Sequence, residues 1–116
     1  MKSSINLKPI ISETGETPDS QLELFALMSL GVLESLSSGL MSATEAVRVF
    51  FNAENCLFVR QSLSEKMADE FMSHGVQLPD LFEALPSEKV QREFHRELTT
   101  MRSLCLQLLE EERLAA

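Results

Sequence analysis

The fold is decided by residues 87–113, which read SEKVQREFHRELTTMRSLCLQLLEEER. Their apolar side chains recur at intervals of three and four residues, and this spacing places them on one face of an α-helix. Ser87 is a suitable N-terminal cap, and Glu88 provides a favourable negative charge in the first turn. We therefore predict one long amphipathic helix from Glu88 to roughly Arg113, whose buried stripe is Val90, Phe94, Leu98, Met101, Cys105 and Leu108.

A second long helix is predicted from Pro18 and Asp19 to the segment 37–39. Proline and aspartate favour a first turn, and Gly39 can adopt the left-handed conformation that ends a helix. Apolar residues surround most of this helix, as expected for one packed on several sides. Gly31 in its middle lowers helix propensity by about 1 kcal/mol relative to Ala, so we expect a close helix crossing there.

Shorter helices are predicted between these two. The segment Ser42–Glu45 has the form of a capping box and begins a short helix that runs toward Asn52. The apolar run within residues 53–62 is too short to distinguish a strand from a helix, and we favour a helix.

In the segment between Ser62 and Pro86, glycine and proline are expected to separate two helical stretches. A helix capped by Ser62 or Ser64 is expected to end at His74 and Gly75. Pro79 is then expected to begin a separate helical segment of one or two turns.

Residues 1–17 show no sustained period of a helix or a strand and are rich in Ser, Thr, Gly, Pro and Glu. We interpret them as a flexible arm whose apolar patch, between Ile5 and Ile11, docks either on the core or on a neighbouring subunit. Residues 18–116 form a single helical domain, because 116 residues are too few for two ordinary cores. The predicted fold class is all-α, a compact irregular bundle of about four to six helices with a long C-terminal helix.

Charge and composition narrow the possible partners and location. Ten basic and eighteen acidic residues give a formal net charge of −8, which repels nucleic acid. The longest uncharged apolar run, Leu24–Leu33, is shorter than the roughly 20 residues of a membrane span, and the N-terminus lacks a signal-peptide pattern. Cys56 and Cys105 have no metal-site or disulfide spacing, so we expect reduced thiols. We expect a cytoplasmic protein that binds neither nucleic acid nor membrane.

Residues 27–51, LMSLGVLESLSSGLMSATEAVRVFF, and more loosely the stretch from about 24 to 86, resemble a small family of bacterial all-helical domains of unknown function. The resemblance implies a helical fold and a bacterial source, and it carries no activity. The residues on which it rests are Ser29–Gly31, Glu34–Leu36, Gly39, and the Ser42–Glu45 cap that leads into Ala46.

The histidines do not indicate a catalytic or metal site. His74 follows Glu70 by one turn, but two ligands do not make a metal site, so we interpret them as an ordinary side-chain pair. His95 is assigned to the exposed flank of the last helix. The sequence contains no phosphate-binding loop or zinc-protease motif. We therefore predict no catalytic residue, no cofactor and no metal.

Leucines near the C-terminus indicate protein binding instead. Five of them between Leu104 and Leu114 are more than one narrow stripe can bury. We predict a protein–protein interaction module that forms a homodimer through its two long helices. The candidate interface residues are Leu104, Leu106, Leu108, Leu109, Leu24 and Leu27.

Two alternatives stay open. An inhibitor or immunity-type protein would cover a basic toxin or nuclease with its carboxylates, and its association would be fast and salt-sensitive. An enzyme with a site between subunits would use His74, His95 or Cys56 as its reactive group. A cleft that collects histidines and carboxylates would favour the enzyme.

Overall fold

Six α-helices make up the computed structural model, which describes the backbone of residues 4–115 and the side chains of residues 4–111. A π-helical turn, Val59–Leu63, directly continues the fourth helix, and the described residues contain no strand. The predicted all-α fold with a long C-terminal helix is confirmed. The helices are α1 (Leu7–Thr14), α2 (Pro18–Ser37), α3 (Ala43–Val49), α4 (Ala53–Phe58), α5 (Lys66–Ala84) and α6 (Ser87–Ala115).

Helix α6 packs against both α2 and α5 along its predicted stripe. All six stripe residues are buried, from Val90 at the start to Leu108 near the end. The shorter helices close the bundle, with α3 packed on α5 and α1 packed on α2 and α4. None of the described helices is both long and apolar enough to cross a membrane.

Four phenylalanine rings fill the interior between α2, α5 and the end of α3. Neighbouring rings lie 5.3 to 6.4 Å apart between centroids, in stacked, tilted and edge-to-face arrangements. These distances lie within the range in which aromatic pairs attract each other. All four rings are almost completely buried, and they belong to Phe25, Phe50, Phe51 and Phe71.

The ring of Phe51 lies directly against Gly75 of α5. A Cβ atom at Gly75 would lie 2.2 Å from Cδ1 of that ring, closer than any real contact. A Cβ atom at Gly31 would meet nothing within 4 Å. The close crossing expected at Gly31 is therefore wrong, and the glycine inside a helix that permits a close approach is Gly75.

Helix α5 begins at a different cap from the one predicted. The carboxylate of Glu65 accepts hydrogen bonds from the backbone N–H groups of Met67, at 2.7 Å, and Ala68, at 3.1 Å. Ser64 instead has a left-handed backbone, with φ of 50°, and ends the π-helical turn. A charged cap with two hydrogen bonds replaces the serine cap.

Helix α5 also continues past both of its expected breaks. It runs through Gly75 and includes Pro79 in its interior, so the predicted end at residue 75 and the separate segment after it are wrong. An interior proline costs about 3 kcal/mol of helix stability. Tertiary packing offsets this cost, since Leu78 is fully buried in the core and the ring of Phe82 lies 5.3 Å from that of Phe94 on α6.

The N-terminal segment is more ordered than the sequence indicates. Residues 7–14 of the expected flexible arm form α1, whose Leu7 and Ile11 are fully buried in the core cluster. The apolar patch thus docks on the core of its own domain, which is one of the two alternatives. The first three residues of the predicted arm lie outside the described residues.

Asn55 of α4 joins this segment to the rest of the domain. Its side-chain amide donates hydrogen bonds to the carbonyls of Ile5, at 2.7 Å, and Phe50, at 2.9 Å, and its Oδ1 accepts from the N–H of Leu7 at 3.0 Å. The side chain is almost fully buried, so each of these bonds satisfies a group that water does not reach.

Three other local predictions are confirmed. Helix α2 begins at Pro18 and is followed by Gly39 with φ of 81°. The capping box of α3 forms, with the Ser42 hydroxyl accepting from the Glu45 N–H at 3.1 Å and the Glu45 carboxylate accepting from the Ser42 N–H at 3.0 Å. Residues 53–62 are helical throughout.

Candidate functional site

The predicted interface leucines divide into buried and exposed ones. Leu108 is only 1% exposed and belongs to the core, so it is not available to a partner. Leu24, Leu104 and Leu109 are partly buried and pack against the core cluster. The side chain of Leu114 lies outside the described residues. The expected broad leucine surface is therefore reduced, because the domain itself buries much of it.

Helices α2 and α6 pack against each other, and a shallow groove runs between them on one face of this helix pair. The two helices are antiparallel, because Ser29 lies beside Cys105 while the 33–37 segment of α2 lies opposite the 95–102 segment of α6. The residues that line the groove are Leu33, Glu34 and Ser37 of α2 and His95, Leu98, Thr99 and Arg102 of α6.

Four leucines continue this groove two helical turns further along. Positions seven residues apart lie on nearly the same row of a helix, so Leu27 and Leu30 follow the rows of Glu34 and Ser37. By the same spacing, Leu106 and Leu109 follow the rows of Thr99 and Arg102 on α6. Leu27 is 53% exposed and Leu106 is 47% exposed, whereas Leu30 and Leu109 are partly buried. We call these residues, Leu27, Leu30, Leu106 and Leu109, the leucine patch.

A cleft of about 650 Å³ lies between α3, α4 and α5. Cavities of this volume are typical of sites that hold a small molecule. The lining contains no histidine, so the cleft does not collect the groups expected of the alternative enzyme site. Its apolar lining residues include Val47, Phe51, Met72 and Val76, and its charged lining residues are Arg48, Arg60 and Asp69. We call it the α3–α5 cleft.

The two arginines of the cleft differ in their partners. Arg60 donates from Nε to a carboxylate oxygen of Asp69 at 3.3 Å. The guanidinium of Arg48 has no ion pair within the described part of the chain. The nearby carboxylate of Glu45 is engaged in the α3 cap, where hydrogen bonds from Ser42, and to a smaller extent the charge of Arg48, hold the pKa of Glu45 below its usual value.

The two cysteines have different environments, and both are free thiols. Cys56 lines the α3–α5 cleft, and its partial burial raises the pKa of its thiol. Cys105 is fully buried beside the hydroxyl of Ser29, and burial raises the pKa of its thiol to about 12. Reactive cysteines have lowered pKa values, so neither thiol is an activated nucleophile.

Neither histidine lines the α3–α5 cleft, but His74 lies in a smaller adjoining depression of about 200 Å³, which it lines together with Asp80 and Glu97. The ring of His74 donates from Nδ1 to the carboxylate of Glu97 and so links α5 to α6, whereas the pairing with Glu70 was expected. His95 lies on the exposed flank of α6, as predicted. Among the described residues, no cluster of three or more His, Cys, Asp or Glu side chains is arranged to hold a metal ion.

Sequence reasoning missed Arg48 and Arg60 as site residues. They lie on separate short helical segments, and their neighbours in the cleft come from a third helix. No regular spacing in the sequence marks such a set. The sequence gives only one hint of these site residues, which is that basic residues are scarce: the chain has ten of them and eighteen acidic residues.

The chain matches no protein-family model, no curated protein and no solved structure. The resemblance of residues 24–86 to a bacterial helical family stays a prediction.

Proposed function

We propose that this chain is a non-catalytic protein-binding module and that it binds a second copy of itself through the leucine patch. The observation that carries the proposal is the exposure of Leu27 and Leu106, at 53% and 47%. By helical spacing they lie on the rows of α2 and α6 that continue the groove between these two helices. Burying a leucine side chain that was exposed stabilises a complex by about 1.5–3 kcal/mol. Two such residues beside two partly buried leucines form the centre of a small apolar contact.

The charges of the same groove favour a second copy as the partner. Glu34 of α2 and Arg102 of α6 both line it. In a twofold contact each copy presents the same surface to the other. In such a contact, the acidic side chain of one copy can therefore pair with the basic side chain of the other.

Mutation of the exposed leucines tests the proposal. We expect Leu27→Glu and Leu106→Glu to make the protein monomeric, because each places a charge in the apolar contact. Leu40→Glu is the matched control, since Leu40 is 81% exposed and lies in the loop after α2, outside the leucine patch. It adds the same charge and should leave the dimer unchanged.

Sedimentation velocity over a hundredfold range of protein concentration measures these differences. Unchanged thermal unfolding of the variant monomers shows that they are folded. A wild-type protein that remains monomeric throughout the range, or a Leu40→Glu variant that dissociates as much as Leu106→Glu, would contradict the proposal.

A further inference from the structure

We propose that the α3–α5 cleft binds a small organic carboxylate, with its apolar body against Val47, Met72 and Val76 and its carboxylate on the guanidiniums of Arg48 and Arg60. This binding activity goes beyond the proposed self-association. It uses a different surface, because the lining residues of the cleft come from α3, α4, α5 and the segments that join them, and none comes from α2 or α6.

The shape and lining of the cleft select a small molecule with an apolar body. A volume of about 650 Å³ lies within the range of small-ligand sites, about 300–1,000 Å³. Val76 is 44% exposed although it is a β-branched aliphatic residue on a well-packed helix. A ligand that covers Val76 and the partly buried Val47 removes apolar surface from water, and this is the main favourable contribution to binding in such pockets.

The charged residues of the cleft indicate that its ligand carries an anionic group. The chain as a whole has a formal net charge of −8, yet the charged residues of the cleft are two arginines and one aspartate. Arg48 has no ion pair among the described residues, and the hydrogen bond to Asp69 uses one of the five N–H donors of Arg60. A planar guanidinium binds a carboxylate with two parallel hydrogen bonds, so a carboxylate is the complementary group.

The test compares one carboxylate with its uncharged analogue. The probes are 6-phenylhexanoate and its primary amide, which share the apolar body and differ in charge. Calorimetry measures their affinities for the full-length protein, and mass spectrometry measures how each slows the alkylation of Cys56 by N-ethylmaleimide. Cys56 lines the cleft, so its protection reports where the probe binds. We expect the carboxylate to bind about tenfold more tightly than the amide and to protect Cys56.

Two variants and a control locate the binding. Arg48→Gln should weaken binding of the carboxylate about tenfold and leave the amide unchanged. Val76→Asp should abolish binding of the carboxylate, because it places a negative charge on the apolar wall. Arg92→Gln is the control, since it removes the same charge from α6, which does not line the cleft.

Each contrary outcome overturns a stated part of the proposal. Equal binding of the two probes would exclude recognition of the carboxylate. Binding that leaves the alkylation rate of Cys56 unchanged would place the ligand elsewhere. Equal losses in Arg48→Gln and Arg92→Gln would show that only the overall charge matters, and failure of both probes to bind would reject the site. Because α2 and α6 are not involved, none of these outcomes bears on the leucine patch.

Discussion

Replacing Gly75 by alanine should destabilise the protein, whereas the same change at Gly31 should stabilise it. Gly75 lies within α5 and Gly31 lies within α2, and both of these helices are long. An alanine Cβ at residue 75 would lie 2.2 Å from the Phe51 ring, whereas at residue 31 it would meet nothing within 4 Å. The two variants therefore share the gain in helix propensity and differ in packing.

The magnitudes follow from these two contributions. Alanine is favoured over glycine in a helix by about 1 kcal/mol, so Gly31→Ala should raise the free energy of unfolding by up to that amount. Carbon atoms in contact lie about 3.5–4.0 Å apart, so Gly75→Ala must move the Phe51 ring by more than about 1 Å. That ring is only 1% exposed within the phenylalanine cluster. Overpacking of this kind costs about 1–3 kcal/mol, so the free energy of unfolding should fall by up to about 2 kcal/mol.

Thermal and urea unfolding measure the difference between the two variants. Circular dichroism at 222 nm is the appropriate signal, because the chain contains no Trp and no Tyr. With 116 residues and about 2.1 cal/mol/K of unfolding entropy per residue, 1 kcal/mol shifts Tm by about 4 °C. We expect Gly31→Ala to melt about 4–12 °C above Gly75→Ala. Equal melting temperatures, or a more stable Gly75→Ala, would mean that Phe51 does not pack against Gly75.

Three further predictions concern buried polar groups, thiols and pH. Asn55→Ala should lower the free energy of unfolding in urea by about 2–3 kcal/mol, because it removes three hydrogen bonds to backbone groups of the N-terminal segment and the α3–α4 loop; a loss below about 1 kcal/mol would exclude this anchoring role. N-ethylmaleimide should label Cys56 in the folded protein but label Cys105 only after unfolding, because Cys105 is fully buried with its pKa raised to about 12; early labelling of Cys105, seen by mass spectrometry, would contradict its burial. Hydrogen bonds from Ser42 lower the pKa of Glu45 below that of an unfolded glutamate, so its contribution to stability is present above the unfolded pKa and is lost as the pH falls through the folded-state pKa. Urea unfolding between pH 7 and pH 3 should therefore show a smaller acid loss for Glu45→Gln than for the wild type, and identical pH profiles would exclude the capping interaction.

The sequence alone predicts those parts of the fold that depend on interactions between residues close together in the chain. The stripe of α6 follows from residue spacing, and the capping box at Ser42 and the end of α2 near Gly39 follow from residues within one turn. Each of these signals involves atoms that are close in sequence. The structure accordingly has them where the sequence predicts them.

The wrong predictions, apart from the local misplacement of the α5 cap, concern residues whose role depends on a distant contact. Gly31 and Gly75 are equivalent as isolated helix residues, and only the position of Phe51 shows which one must lack a side chain. Pro79 ends most helices, but α5 continues through it, and beyond it Phe82 packs on Phe94 of α6. The N-terminal helix is likewise held by Asn55, which follows it by 48 residues.

The candidate surfaces were predicted only in part. An excess of leucine in α6 is visible in the sequence, but the packing of α2 and α6 decides that Leu106 is exposed and Leu108 is buried. The α3–α5 cleft could not be predicted, because its residues lie on separate segments that come together only in the folded domain.

The salt dependence of wild-type self-association tests the proposed function most directly. Each copy has a formal net charge of −8, so two copies repel each other at low ionic strength and salt screens this repulsion. Salt also weakens the pairing of Glu34 with Arg102 across the contact, but exposed ion pairs contribute only about 0–1 kcal/mol, so the screened repulsion determines the sign of the effect. Sedimentation equilibrium at 0.05 M and 0.5 M NaCl should show a dimer whose dissociation constant decreases at the higher salt concentration. A monomer at both concentrations, or a dimer that dissociates as salt is added, would contradict an apolar contact through the leucine patch.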